Sequence, residues 1–462
     1  MIVFQYSIHF RNGTDQVSAN FKLLADKLNC KYDKFIRTTD KKHEACVQYL
    51  WKALEERNQI YLGAYEGWYS VRDEAFYDES ELVNGMAPTG APVEWVKEES
   101  YFFKLSEYTD RLLDLYNNHP EFVGPDSRIN EVIAFVSQEG GLRDLSISRT
   151  TFDWGVSVPG NEKHVVYVWL DALANYISAL GYPAVENSLW RFWPADLHIV
   201  GKDILRFHAI YWPAFLMGAG IEVPNRIFAH GWWTFDGEKM SKSVGNVIDP
   251  FVMLDQYGVD YVRYFLTAEV SFGNDGDYSS ESFAARINGD LSNGIGNLAQ
   301  RVFTLCAKHC DGKIPFPKIL YAEDVELLDA TEKAFSTSKE FISQQMLHRY
   351  CATIVEIATM GNKYIDTKAP WKLAKAGDKD RLDSVLYVLV EVMRRIGILL
   401  WPVTPESCEN LLDQAGVPEV MRSFDSLKDR IEPGLSMASP SPVFPKIEIP
   451  EELKDVASKK AQ

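Results

Sequence analysis

A chain of 462 residues is too long for one ordinary core, and roughly two to four domains are expected. Its apolar content of 46% and aromatic content of 13% exclude a disordered chain, and no apolar run reaches membrane-spanning length. A net charge of −17 excludes little, because a local basic patch can bind a phosphate backbone on an acidic protein.

Residues Met1 to Gly13 carry neither a charged region with a cleavage site nor an Arg- and Ser-rich amphipathic pattern, so a soluble cytoplasmic protein is expected. Asp15 to Glu56 reads as helices around a short extended piece, Tyr32 to Arg37. From Ile60 to Phe103 apolar and polar residues alternate, as in Tyr61-Leu62-Gly63-Ala64-Tyr65-Glu66-Gly67-Trp68-Tyr69, which predicts short strands in a small β-rich insert. The turn-rich segment Asn84 to Pro92 separates them.

Two strand-like runs follow, Val165 to Trp169 and Leu197 to Gly201, each leading into a helical pattern that begins near Asp171 and Asp203. Such alternation predicts a parallel sheet covered by helices, with ligands at the carboxyl ends of its strands. That directs attention to Trp169, Asp171, Gly201 and Asp203.

Beyond about Ala285 the pattern is almost all helix, with Ile287, Leu291, Ile295, Leu298, Val302 and Leu305 on one stripe, and a helical bundle is predicted. Val385 to Trp401 is interrupted by Glu391, Arg394 and Arg395, so it reads as a buried bundle helix. Ser439 to Pro445 forms a proline-rich strap ahead of a charged tail. The six cysteines, 30, 46, 306, 310, 351 and 408, read as reduced thiols, with Cys306 and Cys310 neighbours on one helix. The absence of cysteine between Cys46 and Cys306 excludes a zinc knuckle there. A glycine pattern at Gly289, Gly294 and Gly296 falls inside the helical stripe and is assigned no phosphate role.

The segment Gly237-Glu238-Lys239-Met240-Ser241-Lys242-Ser243-Val244-Gly245-Asn246 holds two lysines three apart, each followed by a serine, between glycines. A loop of this kind can close over a polyphosphate and place two mobile cations on it; on its letters alone it also fits a solvated lysine loop. Lys-Met-Ser-Lys-Ser is the second signature of class I aminoacyl-tRNA synthetases. Within that class the chain, from about residue 15 to 450, resembles methionyl-tRNA synthetase in its bacterial or mitochondrial form without a zinc knuckle. Besides the loop, the resemblance rests on Phe35 to Asp40, Tyr65 to Tyr69, Tyr167 to Tyr176 and Gly201 to His208. Asp73 to Tyr77 stands where zinc-bearing relatives carry cysteine pairs.

The resemblance implies ATP as its magnesium salt, methionine and tRNA(Met) as substrates, no zinc or other resident metal, and a monomer. It implies catalytic roles for Lys242 and Lys239, and an ATP site of Lys242, Ser241, Ser243, His230, Gly231, Gly201 and Asp203. Trp169, Ala172, Tyr176, Ile204, His208 and Arg149 would bind methionine, and Asn297, Arg301 and Trp371 would read the anticodon. Taken singly, Trp169 and Tyr176 also fit ordinary core packing, His208 a core histidine, and the last three a bundle tryptophan with an exposed polar pair. The implied fold class is α/β: a class I nucleotide-binding parallel sheet, a β-rich connective insert and a C-terminal helical bundle. The implied segments are 1–59 (remnant of the first half of the catalytic domain), 60–115 (insert), 116–235 (second half), 236–284 (lysine loop and stem contact), 285–430 (anticodon bundle) and 431–462 (strap and tail).

The chain departs from the family pattern at one place. None of its nine histidines (9, 43, 119, 164, 198, 208, 230, 309, 348) makes the first class I signature, His-x-Gly-His. Gly13-Thr14-Asp15 matches part of a family segment but lacks its histidine. An N-terminally truncated chain is expected, with Met1 to about Gly13 foreign to the family. A tRNA-binding remnant with impaired activation is therefore the alternative reading. A synthetase for leucine, isoleucine or valine is set aside, because Ile60 to Val165 leaves no room for their large editing insert.

Overall fold

The structure, a computed structural model, describes residues 2–72, 75–77, 79–235, 237–240 and 247–448. The chain divides into two compact units, one of Met1–Ala19 with Tyr32–His230 and one of Asn20–Lys31 with Gly231–Gln462.

In the first unit, helix Lys41–Glu56 buries His43, Cys46, Val47, Leu50, Trp51 and Leu54, the spacing of one helical face. With helix Ile2–Lys27 it flanks a non-helical stretch, as the sequence predicts, although the first helix begins well ahead of Asp15. The β-rich insert is a long antiparallel pair, Ile60–Ser70 against Glu94–Phe103, in register from Ile60↔Phe103 to Tyr69↔Glu94. Strands Ala75–Tyr77 and Leu145–Ser146 flank the pair, so its members are longer than expected but of the predicted kind.

The parallel sheet has the order Val123–Gly124, Ile227–His230, His198–Gly201, with both pairings parallel. The run Leu197 to Gly201 thus behaves as predicted. Val165 to Trp169 does not. Its strand is Asn161–Val166, which pairs antiparallel with Ser148–Arg149 and Ser157–Val158, and the helix Val168–Leu173 has already begun at Trp169. A short run of β-branched and aromatic residues fits strand and buried helix equally by periodicity, and here tertiary packing divides it between the two.

The second unit opens with a small sheet in which Trp233–Phe235 lies between antiparallel Glu238–Lys239 and parallel Gly276–Tyr278. Beyond it, helices Asn297–His309, Ala322–Ser343, Leu347–Lys368, Lys379–Leu400 and Pro405–Gln414 form the predicted bundle. Ile287, Leu291, Ile295, Leu298 and Val302 are all fully buried, and Leu305 packs against the same core. The segment Ile287–Gly296, holding Gly289, Gly294 and Gly296, is helical with π-type bonding, consistent with the absence of a phosphate loop. The proline-rich strap lies along the bundle: Val443 and Phe444 are buried, and the Pro445 carbonyl accepts from the Tyr261 hydroxyl at 2.6 Å.

Candidate active site

Gly201 and His230 are register partners at the carboxyl ends of adjacent parallel strands. Asp203 folds back over Gly201, so that a Cβ at Gly201 would lie 2.6 Å from the Asp203 carboxylate and 4.0 Å from the His230 ring. A carboxylate, an imidazole and bare backbone therefore gather where open α/β sheets hold their ligands.

The aromatic cluster is built on two short helices, Val168–Leu173 and Asn175–Ser178. Trp169, Ala172 and Tyr176 follow i, i+3, i+7 and so share a face. Trp169 lies flat on Phe207, ring centroids 3.7 Å apart at 7°. The Tyr176 hydroxyl is 2.8 Å from Nε2 of His208, whose Nδ1 is 2.9 Å from the Ile204 carbonyl. Since a carbonyl can only accept, Nδ1 carries the proton and Nε2 accepts from Tyr176. Burial lowers the pKa of His208 and pushes that of Tyr176 up to about 12, so both are neutral near pH 7. Trp169, Tyr176, Ile204 and His208 are thus brought together, with Ala172 on the same helical face.

Arg149 is placed differently. Its guanidinium is buried over the Tyr167 ring, 4.8 Å from the centroid, and donates to the Ser146 hydroxyl and the Ser148 carbonyl, each at 2.7 Å. It buttresses the residue that precedes helix Val168–Leu173.

Sequence reasoning missed Phe207 and His198. His198 stacks on Tyr176 at 3.9 Å, is buried, and leaves Nε2 without a hydrogen-bond partner among the described residues. Its position on the strand that ends at Gly201 is the one sequence signal that pointed to it.

In the second unit, the root of the lysine loop is a hairpin. Gly237 turns it with φ +77°, a conformation that favours glycine, and its N–H donates to Asp277 at 2.8 Å. The Thr234 hydroxyl donates to the same carboxylate oxygen at 2.6 Å, so Asp277, also missed in the sequence, anchors the turn. At Gly231 a Cβ would lie 2.2 Å from the Asn274 carbonyl oxygen, and only glycine permits that approach. Lys239 lies in the second strand of the hairpin; Ser241, Lys242, Ser243 and Gly245 fall outside the described residues.

On the bundle, Arg301 sits over the Trp371 ring, 5.6 Å from its centroid, and pairs with Asp366. Trp371 is 43% exposed, and Asn297 is exposed one turn ahead of Arg301 on the same helix. All six cysteines are free thiols, and no group of three or more His, Cys, Asp or Glu among the described residues is placed to hold a metal. Among the described residues no helix is long and apolar enough to cross a membrane.

A parallel sheet with polar groups at its strand ends, followed by a helical bundle, is the plan of a class I nucleotide-binding enzyme, and the comparisons agree. The family model "tRNA synthetases class I (M)" matches residues 5–92 and 87–303, and "Anticodon binding domain of methionyl tRNA ligase" matches 315–461. The chain belongs to the methionyl family of the class I tRNA synthetases. It is 50% identical over 442 residues to a methionine–tRNA ligase of Brucella suis, covering 94% of this chain and 85% of that one. A methionine–tRNA ligase of Rickettsia felis is 50% identical over 441 residues, covering 94% and 86%. The solved structure of Mycobacterium tuberculosis methionyl-tRNA synthetase with methionyl-adenylate superposes with a TM-score of 0.88 at 48% identity, covering 92% of this chain and 85% of that one. The first match begins at residue 5, ahead of Gly13, which corrects the expectation that this segment is foreign to the family.

Proposed function

We propose that this chain activates methionine with ATP and transfers it to tRNA(Met), using the residues named from its sequence. The observation that carries the reading is the cluster of Trp169, Tyr176 and His208, where flat aromatic surface borders neutral imidazoles, His208 and beside it His198. A thioether side chain gains about 0.3–1.5 kcal/mol from each sulfur–aromatic contact, which an alkyl chain of equal length does not. Ala172 and Ile204 complete the side-chain pocket, and Arg149 supports its edge through Tyr167.

The methionine carboxylate attacks the α-phosphorus of ATP, supplied as its magnesium salt, and pyrophosphate leaves. Gly201, Asp203, His230 and Gly231 hold the nucleoside. Lys239 and Lys242, with the hydroxyls of Ser241 and Ser243, meet the charge that grows on the phosphate oxygens. A hydroxyl of the tRNA terminus then takes the acyl group and AMP departs. Asn297, Arg301 and Trp371 bind a splayed anticodon base by stacking and hydrogen bonds. The segments assigned from the sequence, 1–59, 60–115, 116–235, 236–284, 285–430 and 431–462, serve these steps in a cytoplasmic monomer that needs no zinc.

A second reading, tRNA binding with impaired activation, is favoured by one observation: the 462 residues contain no His-x-Gly-His. Methionine-dependent ATP–pyrophosphate exchange separates the two. We expect measurable exchange, reduced by about 10²–10³ in Lys242→Ala. No exchange alongside retained tRNA binding would select the second reading.

A further inference from the structure

Asp171, Asn175 and Ser178 follow i, i+4, i+7 along the same two short helices that carry Trp169, Ala172 and Tyr176. Asp171 and Ser178 each stand two residues, about 200° around a helix, from Trp169 and Tyr176 respectively, so they point away from those two side chains. Against the face away from the pocket stands His43, 1% exposed, on helix Lys41–Glu56. Its Nε2 lies 2.6 Å from the Asp171 carboxylate and its Nδ1 lies 2.9 Å from the Ser178 hydroxyl. Nε2–H donates to the carboxylate, Nδ1 shares a hydrogen bond with the serine hydroxyl, which also lies 3.2 Å from the Asn175 carbonyl, and one imidazole spans both short helices.

We propose that His43 is a positioning residue for the methionine side-chain pocket; the proposal rests on the reading of Trp169 and Tyr176 as pocket residues. Helices of six and four residues are too short to hold their own orientation. The Asn175 side chain bonds the Ala172 carbonyl at 2.9 Å and links the two locally. His43 ties both to a long helix whose place is fixed by other means: Val47, Leu50, Trp51 and Leu54 are fully buried beneath it. Removal of the imidazole therefore leaves helix Lys41–Glu56 seated and frees the pocket face to shift. A shift of about 1 Å is enough to spoil a constellation of this kind.

The test measures methionine and ATP affinity separately, by calorimetric titration of the full chain, with thermal melting as the control for folding. His43→Ala is expected to weaken methionine on the order of tenfold, as for a hydrogen bond to a charged group, and to leave ATP affinity unchanged. His43→Gln, whose amide nitrogen takes the place of Nε2 toward Asp171, should recover most of the loss. Ser178→Ala, a smaller change that keeps the test open if His43→Ala fails to fold, should weaken methionine about two- to threefold. Equal weakening of both ligands, no recovery in His43→Gln, or unchanged methionine affinity in a folded variant would overturn the proposal. Trp169→Ala is measured alongside. If it leaves methionine binding intact, the pocket reading itself fails; if it abolishes binding while the His43 and Ser178 variants bind normally, only the positioning role fails.

Discussion

The buried charges of the bundle and the buried His198 of the aromatic cluster are handled in opposite ways. In the bundle, Glu391 is wholly buried, yet its carboxylate accepts from Arg394 at 2.8 Å, from Arg395 at 2.6 Å and from the Ile431 N–H at 3.1 Å. Arg394 goes on to the carbonyls of Met421, Ser426 and Asp429, and Arg395 to Leu328 and Thr331. Every charge there has a fixed partner, so one arrangement is specified. In the cluster, His198 is equally hidden but its Nε2 has no partner among the described residues, and the same holds for Trp212 Nε1. Groups left without partners cost stability, and they persist where the surrounding packing imposes them. The difference teaches that the charged network of the bundle is built to stay as it is, while the cluster holds polar capacity in reserve beside the proposed methionine pocket.

The largest test of that contrast breaks the satisfied side. Glu391→Gln leaves Arg394 and Arg395 buried with one neutral acceptor group between them, and loss of one partner in such a network costs about 3–5 kcal/mol. Chemical denaturation followed by circular dichroism should show that loss. A loss below about 1 kcal/mol would mean that water reaches the triad and that the network does not specify the bundle.

The unsatisfied side is tested by acid. Burial lowers His198 to about 3 and also lowers His208. In the unfolded chain both titrate near 6.5, so below that pH the unfolded state binds protons that the folded state refuses. Their contribution is present in full above about pH 6.5 and is lost as pH falls from there toward about 3. The melting temperature should fall over this window, and His198→Phe should flatten the slope. An unchanged slope would show that His198 is not held neutral.

The same contrast decides what could be read in advance. Helix Lys379–Leu400 was legible even with Glu391, Arg394 and Arg395 inside it, because periodic apolar residues over many turns outweigh three charges. The cluster has no period to read. Trp169 and Tyr176 were found through a motif, and the same run misled as to its strand, because a five-residue apolar stretch carries no arbiter between strand and helix. Phe207, His198 and Asp277 were missed because their roles come from contacts rather than spacing. His43 makes its bond 128 positions away, at Asp171, and no local pattern reports a partner at that distance. The anticodon group was proposed from resemblance, and the structure does set Arg301 over Trp371.

That pair gives the smallest and most discriminating prediction, because it places an aromatic of the bundle in the cluster's position, with one face committed and the rest exposed. The Arg301 guanidinium lies over the ring and is itself held by Asp366, so the tryptophan is presented in a fixed attitude. An aromatic held ready in this way gains stacking with a base without a large ordering cost. Trp371→Ala should weaken tRNA(Met) by about 1–3 kcal/mol, the range for one stacked base, and leave methionine affinity and melting temperature almost unchanged, because the ring is 43% exposed. Asp366→Asn should act in the same direction and more weakly, by loosening the arginine that holds the ring. If Trp371→Ala lowers the melting temperature and spares tRNA binding, the tryptophan is a packing residue, and the fixed packing of the bundle extends to its surface.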